Sequence, residues 1–222
     1  MSNSNFRFME EPDAVSILTQ YGIPYPAHRF AQTAEEAVHG AEETGYPVVL
    51  KIVSPQISHK SDVGGVAVGL KNAEEVSRGF ADILGRVQKA VPDSEVRGVL
   101  VCRQAEPGLE VIVGALKDPI FGPTLMFGLG GIFTEVLKDV SFRIVPVERI
   151  DVEEMIQETK GHAILSGVRG QKPRDLEALA DLLLAVGRLV SERPNIEEID
   201  LNPVRLYEQG LSVLDVRILE MQ

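Results

Sequence analysis

The sequence predicts an α+β fold, and three features of its pattern predict it. Strands and helices alternate through the first part of the chain, strands then follow one another in a run, and two helices with a terminal hairpin close it. No fixed-period repeat, low-complexity tract or long linker interrupts this order, so the chain reads as one unit spanning 10–222 with two lobes. The lobes are expected at 10–103 and 104–222, with the boundary near Arg103 to Glu106.

The first helix is expected over EPDAVSILTQYG, where Val15, Ile17, Leu18 and Tyr21 fall at helical spacing and Gly22 stops the run. IPYPAHRFAQ, with two prolines, reads as extended. Thr33 followed by Glu36 is a capping-box pattern for TAEEAVHGAEETG, which Gly45 ends. PVVLKIV and VAVGL are β-branched strands separated by SPQISHKSDVGG, which has loop composition. AEEVSRGFADILGRVQKAV is amphipathic, and RGVLVCRQ, GLEVIVGAL and TLMFGLG follow as strands. A strand pair, IFTEVLKD and VSFRIVPV, precedes helices at VEEMIQET and PRDLEALADLLLAVGRLVSE, the second opening on Pro173 and Asp175. EIDLNPVRLY and LSVLDVRIL form the closing hairpin, turning at Glu208-Gln209-Gly210.

Composition narrows the function. The chain has 222 residues, 44% of them hydrophobic, and a formal net charge of −11, which opposes non-specific binding to nucleic acid. An anionic ligand must then be held by a locally built site. The N-terminal residues lack an apolar leader core, and no apolar run approaches the ~20 residues that span a bilayer, so an intracellular, cytoplasmic protein is expected. The single cysteine, Cys102, lies within GVLVC and reads as a small buried hydrophobe.

Three constellations could carry chemistry. In the terminal hairpin, a connection from Tyr207 to Gly210 pairs Leu206 with Leu211 and places Asn202 opposite Asp215. Alternation puts Asp200 on the same face, so two carboxylates and an amide oxygen gather as Mg²⁺ requires. A solvated sheet face is the alternative, against which stands the apolar setting of Asp215 in VLDVRI.

The second constellation is Lys51 with the loop SHKSDVGGV, where an ammonium near a strand end and the pair Gly64-Gly65 suit a polyphosphate. Neither a Walker A loop nor a GxGxxG fingerprint is present. His59, on this polar loop beside Lys60 and Ser61, could take and release a phosphoryl group near neutral pH, though a loop histidine without a task is equally open from its surroundings. The third is GLGGIFTEVLKDVSFR, in which Gly128, Gly130 and Gly131 permit close backbone approach and Glu135, Lys138, Asp139 and Arg143 bring charge, a pattern that turns alone would also produce. Glu110, in the apolar strand LEVIVGAL, could face solvent or a ligand.

The stretches YGIP, GYPVVLKIVSPQISHKSDVGGV, GLEVIVGALKDPIFGPTLMFGLGGIFTEVLKDVSFR and EIDLNPV, in this order, resemble the ATP-grasp domain of ADP-forming acyl-CoA synthetases, relatives of the succinyl-CoA synthetase β subunit. The resemblance implies an ATP-grasp fold, with a small α/β lobe and a larger antiparallel-sheet lobe holding ATP or ADP between them. It implies that the hinge Val101 to Ala105, including Arg103 and Gln104, reads the adenine. By the same resemblance Lys51, Gly64, Gly65 and Glu110 attend the nucleotide, Asp200, Asn202 and Asp215 hold Mg²⁺, and His59 is the histidine that becomes phosphorylated. The acyl and CoA chemistry is then expected on a separate CoA-binding α subunit, in an α2β2 assembly, because the pattern begins almost at residue 10. A self-contained ATP-grasp carboxylate ligase, a regulatory module that binds ATP without turnover, and a fragment of a fused synthetase are the competing expectations. His59 counts against the first of these, since a plain ligase has no use for it.

Overall fold

The computed structural model describes residues 6–131, 134, 138–168, 170 and 172–221. The chain divides into two compact units, one holding Phe8–Asp13 and Pro26–Glu106 and the other the remainder. This differs from the expected lobes by giving residues 14–25 to the larger unit. The cause lies in their bonding: Val213 N–H donates to the Pro24 carbonyl at 3.0 Å, and the Tyr21 hydroxyl donates to Glu192 at 2.9 Å.

The chain opens with β1 (Phe6–Phe8) and α1 (Glu11–Gln20). The smaller unit then contains β2 (His28–Ala31), α2 (Ala34–Thr44), β3 (Val48–Val53), β4 (Val66–Leu70), α3 (Ala73–Ala90) and β5 (Gly98–Arg103). The expected cap is present: Thr33 Oγ1 accepts from Glu36 N–H at 3.2 Å, and Gly45, at φ 84°, ends α2. Asn72, which carried no expectation from the sequence, caps α3 by accepting from Glu75 N–H at 2.9 Å. The four strands form an antiparallel sheet in the order β2-β5-β3-β4.

Strand alternation decides what this sheet offers. Val48, Leu50 and Ile52 of β3 join Val99 and Val101 of β5 in a core with Phe80, Ile83 and Val87 of α3 and Ala37 and Ala41 of α2. Each large apolar side chain so buried contributes roughly 1.5–3 kcal/mol. Lys51, between Leu50 and Ile52, is thereby turned to the opposite face of the sheet. Cys102 is a buried thiol, as its apolar setting suggested.

The larger unit adds β6 (Leu109–Asp118), β7 (Gly122–Leu129), β8 (Val140–Ile144), α4 (Arg149–Gln157), α5 (His162–Leu165), α6 (Leu176–Glu192), β9 (Ile196–Leu206), β10 (Leu211–Val213) and β11 (Val216–Met221). Its seven-stranded sheet runs β1-β11-β9-β6-β7-β8, with β10 pairing β9. Helix α6 covers one face: Leu179, Leu183, Val186 and Leu189 are fully buried, and a Cβ on Gly187 would lie 3.5 Å from Leu125 of β7. The covered face therefore takes Leu125, Phe127, Ile199 and Leu201, and leaves Asp200 and Asn202 on the other.

Local differences from expectation have identifiable causes. Asp175, whose side chain accepts from Ala178 N–H at 3.0 Å, caps α6, so the helix begins at Leu176 and not at Pro173. The last strand breaks at Leu214-Asp215 into β10 and β11, because Pro203 opposite has no N–H to give. Leu214 N–H still donates to the Pro203 carbonyl at 2.9 Å, and the Leu214 carbonyl accepts from the Tyr25 hydroxyl at 3.5 Å. Strand β1 and the short helix α5 carried no sequence signal. The expected strand IFTEVLKD, with Glu135, falls largely on residues outside those described. Among the described residues no helix is long and apolar enough to cross a membrane.

Candidate functional site

In the smaller unit, chemistry gathers around the loop between β3 and β4. Lys51 Nζ donates to Glu11 Oε1 at 2.6 Å, and Lys60 Nζ lies 3.2 Å from Glu11 Oε2. All three groups are buried, Glu11 at 4%, Lys51 at 8% and Lys60 at 9% exposure, so both ammonium groups share the Glu11 carboxylate away from water. Lys51 is thus no solvated edge residue. Ile57 anchors the loop in the hydrophobic core, while Gln56 Oε1 accepts from Glu95 N–H at 3.0 Å. His59 is exposed between these anchors.

The glycine pair closes the loop. Gly64, at φ 67°, donates to the Ser61 carbonyl at 3.1 Å, and Gly65 donates to the Lys60 carbonyl at 2.7 Å. Both amides therefore bond within the loop in this conformation. Gly65 is required for room: a Cβ there would meet Ile52 Cγ2 at 2.5 Å and the Lys60 carbonyl oxygen at 2.9 Å.

The segment Val101 to Ala105 leaves β5 for the connection to β6. Val101 is fully buried and pairs with Arg29 and Leu50 on its two sides, so its side chain belongs to the core. Arg103 donates to the Thr44 carbonyl at 3.4 Å. Gln104 is tied at both ends, its N–H donating to the Pro47 carbonyl at 3.0 Å and its Oε1 accepting from Gly69 N–H at 2.8 Å. These bonds hold the backbone at Gln104 and Ala105 in one course.

In the larger unit the closing hairpin has the expected register. Leu211 faces Leu206, Val216 faces Leu201, and Asn202 N–H donates to the Asp215 carbonyl at 3.2 Å. On the other side of β9 the register against β6 shifts between Val111 and Val113, so Asn202 and Pro203 together oppose Ile112 in a β-bulge. The bulge leaves Asn202 exposed beside Asp215.

Asp200 has a partner that sequence reasoning missed. Arg217 lies directly opposite it, and its Nη2 donates to Asp200 Oδ2 at 3.0 Å. Counting two residues on from Asp215 along the strand would have found it. Burial pushes the Asp200 carboxyl above the usual range; Arg217 opposes that shift, and the charges of Glu198 and Asp215 add to it. Asn202 and Asp215 carry oxygen donors of the kind Mg²⁺ takes, and that ion commonly accepts one or two protein ligands and completes its shell with water and phosphate. The Asp200 carboxylate already carries a guanidinium. Among the described residues no cluster of three His, Cys, Asp or Glu side chains could hold a metal unaided.

Three further charged residues, Glu110, Asp139 and Arg143, are paired or structural. Glu110 lies opposite Arg205 and bonds it at 3.1 Å, while the Glu110 carbonyl accepts from Gly130 N–H at 2.8 Å. Asp139 is buried and accepts from the Lys160 and Gly161 N–H groups, each at 2.8 Å, which fixes the approach to α5. Arg143 forks onto Glu158 at 2.8 and 2.7 Å and holds that carboxyl below its ordinary value.

The ATP-grasp domain family matches residues 2–219. The chain belongs to the ATP-grasp family. It is 51% identical to the ADP-forming acetate–CoA ligase I subunit beta of Pyrococcus furiosus, over 96% of this chain and 92% of that one. It superposes with TM-score 0.94 and 48% identity on the dinucleotide-forming acetyl-coenzyme A synthetase 1 of Ca. Korarchaeum cryptofilum, solved with coenzyme A, Ca-AMPCP and HgCl⁺, covering 96% of this chain and 93% of that one. A second structure of that enzyme, with coenzyme A and Mg-AMPPCP and its phosphohistidine segment pointing towards the nucleotide binding site, aligns at TM-score 0.84 and 46% identity over 96% of this chain and 93% of that one. The ATP-grasp fold expected from the sequence is the fold observed.

Proposed function

We propose that this chain is the nucleotide-binding β subunit of an ADP-forming acyl-CoA synthetase. In this reading His59 carries a phosphoryl group between a CoA-binding α subunit, in an α2β2 assembly, and ADP. The observation that carries it is the loop of His59: an exposed residue held between a core anchor, Ile57, and the buried Lys60, which with Lys51 shares the Glu11 carboxylate. A relative of nearly the same length being named a beta subunit supports the partner.

In the nucleotide step the phosphorus of phosphohistidine moves to a β-phosphate oxygen of ADP. The P–N bond breaks as the P–O bond forms, leaving neutral imidazole and ATP, and the reverse step phosphorylates the enzyme. Such transfer depends on alignment and on neutralising oxygen charge. Lys51 supplies positive charge from the smaller unit, and the backbone at Gln104 and Ala105 presents groups for an adenine edge. In the larger unit Asn202 and Asp215 hold Mg²⁺, which when bound neutralises phosphate oxygens; Glu110 lies in that unit with Arg205.

The test is to incubate the purified chain with Mg²⁺ and γ-labelled ATP. Acid-labile, base-stable label is expected on the wild type and not on His59→Ala, with ATP binding retained by both. Firm ATP binding without label would favour a self-contained ATP-grasp ligase or a binding module without turnover.

A further inference from the structure

We propose that Glu11 is a positioning residue for the phosphoryl transfer, acting as a latch that fixes the His59 loop through Lys60. The role in transfer rests on His59 being the phosphorylated residue; the anchoring itself does not. One oxygen of Glu11 takes Lys51 at 2.6 Å and the other faces Lys60 at 3.2 Å. The carboxylate therefore joins the sheet, through Lys51 of β3, to the residue that follows His59. With all three residues at 9% exposure or less, water cannot substitute for either contact without opening the loop.

The spacing of the anchors gives the latch its consequence. Ile57 is held in the apolar core, and Lys60 is held by Glu11, leaving only Ser58 and His59 between them. Consecutive Cα atoms stay about 3.8 Å apart, so His59 cannot leave the neighbourhood of Lys60 while the ion pair stands. Gly65 N–H on the Lys60 carbonyl, at 2.7 Å, carries the same restraint to the start of β4. Holding the imidazole in one place favours in-line transfer, and carrying it elsewhere requires the latch to open. Phosphorylation of His59 would place an anion beside Lys60 and compete with Glu11 for its ammonium.

A merely structural carboxylate, present to neutralise Lys51, would give a different response to mutation. Amide exchange of the full chain separates the two, because the Gly64 and Gly65 N–H groups are bonded within the loop and exchange only when it opens. Glu11→Gln and Lys60→Met are expected to accelerate exchange at these amides by about ten-fold or more, as loss of one member of a buried ion pair implies, whereas Lys51→Met leaves them within about two-fold. Lys60→Met keeps the Glu11–Lys51 pair, so it carries the test if Glu11→Gln fails to fold. In the same two latch variants the rate of His59 labelling by Mg-ATP is expected to fall while nucleotide affinity stays within about two-fold.

Unchanged exchange in Lys60→Met overturns the latch. Faster exchange with an unaltered labelling rate overturns the positioning role and leaves Glu11 as an anchor only. If the wild type takes no label, the assignment of His59 fails, and the exchange data still decide whether Glu11 holds the loop.

Discussion

Gly65 provides the sharpest test of how the His59 loop is built. It is not among the residues at positive φ, so alanine there meets no dihedral penalty and the whole effect is one of space. The added methyl would lie 2.5 Å from Ile52 Cγ2 and 2.9 Å from the Lys60 carbonyl oxygen. Ile52 is in the core of the smaller unit and the Lys60 carbonyl already accepts from Gly65 itself, so neither neighbour yields cheaply. Overpacking of this kind costs about 1–3 kcal/mol, and the lower entropy of the unfolded alanine chain returns about 0.4–1 kcal/mol. A contact of 2.5 Å with a core side chain puts the cost in the upper part of that range, about 2–3 kcal/mol, so Gly65→Ala should destabilise by about 1–2.6 kcal/mol net, lowering Tm by about 2–10 °C for a chain of this size. Gly131 is the contrasting site: it has φ 62° and nothing within 4 Å of where a Cβ would lie, so Gly131→Ala tests dihedral strain without crowding. Thermal and urea unfolding would measure both, with His59 labelling as the functional readout. Stability of Gly65→Ala within about 0.5 kcal/mol of wild type, with labelling intact, would refute the close-packed account of the loop.

Two further predictions concern the larger unit. Asp215→Asn removes the anionic donor beside Asn202 and should weaken Mg-nucleotide binding by about ten-fold or more while leaving metal-free nucleotide binding unchanged; titration calorimetry with and without Mg²⁺ reads the difference, and an equal loss in both would sink the assignment. Asp200 has a carboxyl raised by burial, so the folded state prefers its proton; its stabilising contribution is complete below the unfolded carboxylate pKa and is lost as pH rises through the higher folded value. Asp200→Asn should consequently gain stability relative to wild type as pH increases across that window, and denaturation midpoints that keep a constant offset would contradict it.

Local rules made much of this fold legible. Thr33 and Gly45 marked the ends of α2 because capping and left-handed glycine are properties of a few adjacent residues. The hairpin register followed from counting back from its turn, and it brought Asn202 to Asp215 correctly. What escaped depended on partners distant in sequence. Nothing in the sequence singles out Glu11 at the start of the first helix, and only the folded chain brings it to Lys51, forty positions away. The break at Leu214-Asp215 needed the pairing of a strand with Pro203, and residues 14–25 joined the larger unit with Pro24 and Tyr21 bonded to Val213 and Glu192. Arg217 was within reach of the same count that found Asp215.

The pairing of β1 with β11 brings the first and last described strands side by side at one edge of the larger sheet, where Arg7 bonds Glu220 at 2.9 Å. A polypeptide that enters and leaves at neighbouring points behaves as a cassette. It can be carried within a longer gene product, or cut open at a surface turn and rejoined across that edge by a short linker, without threading new chain through its core.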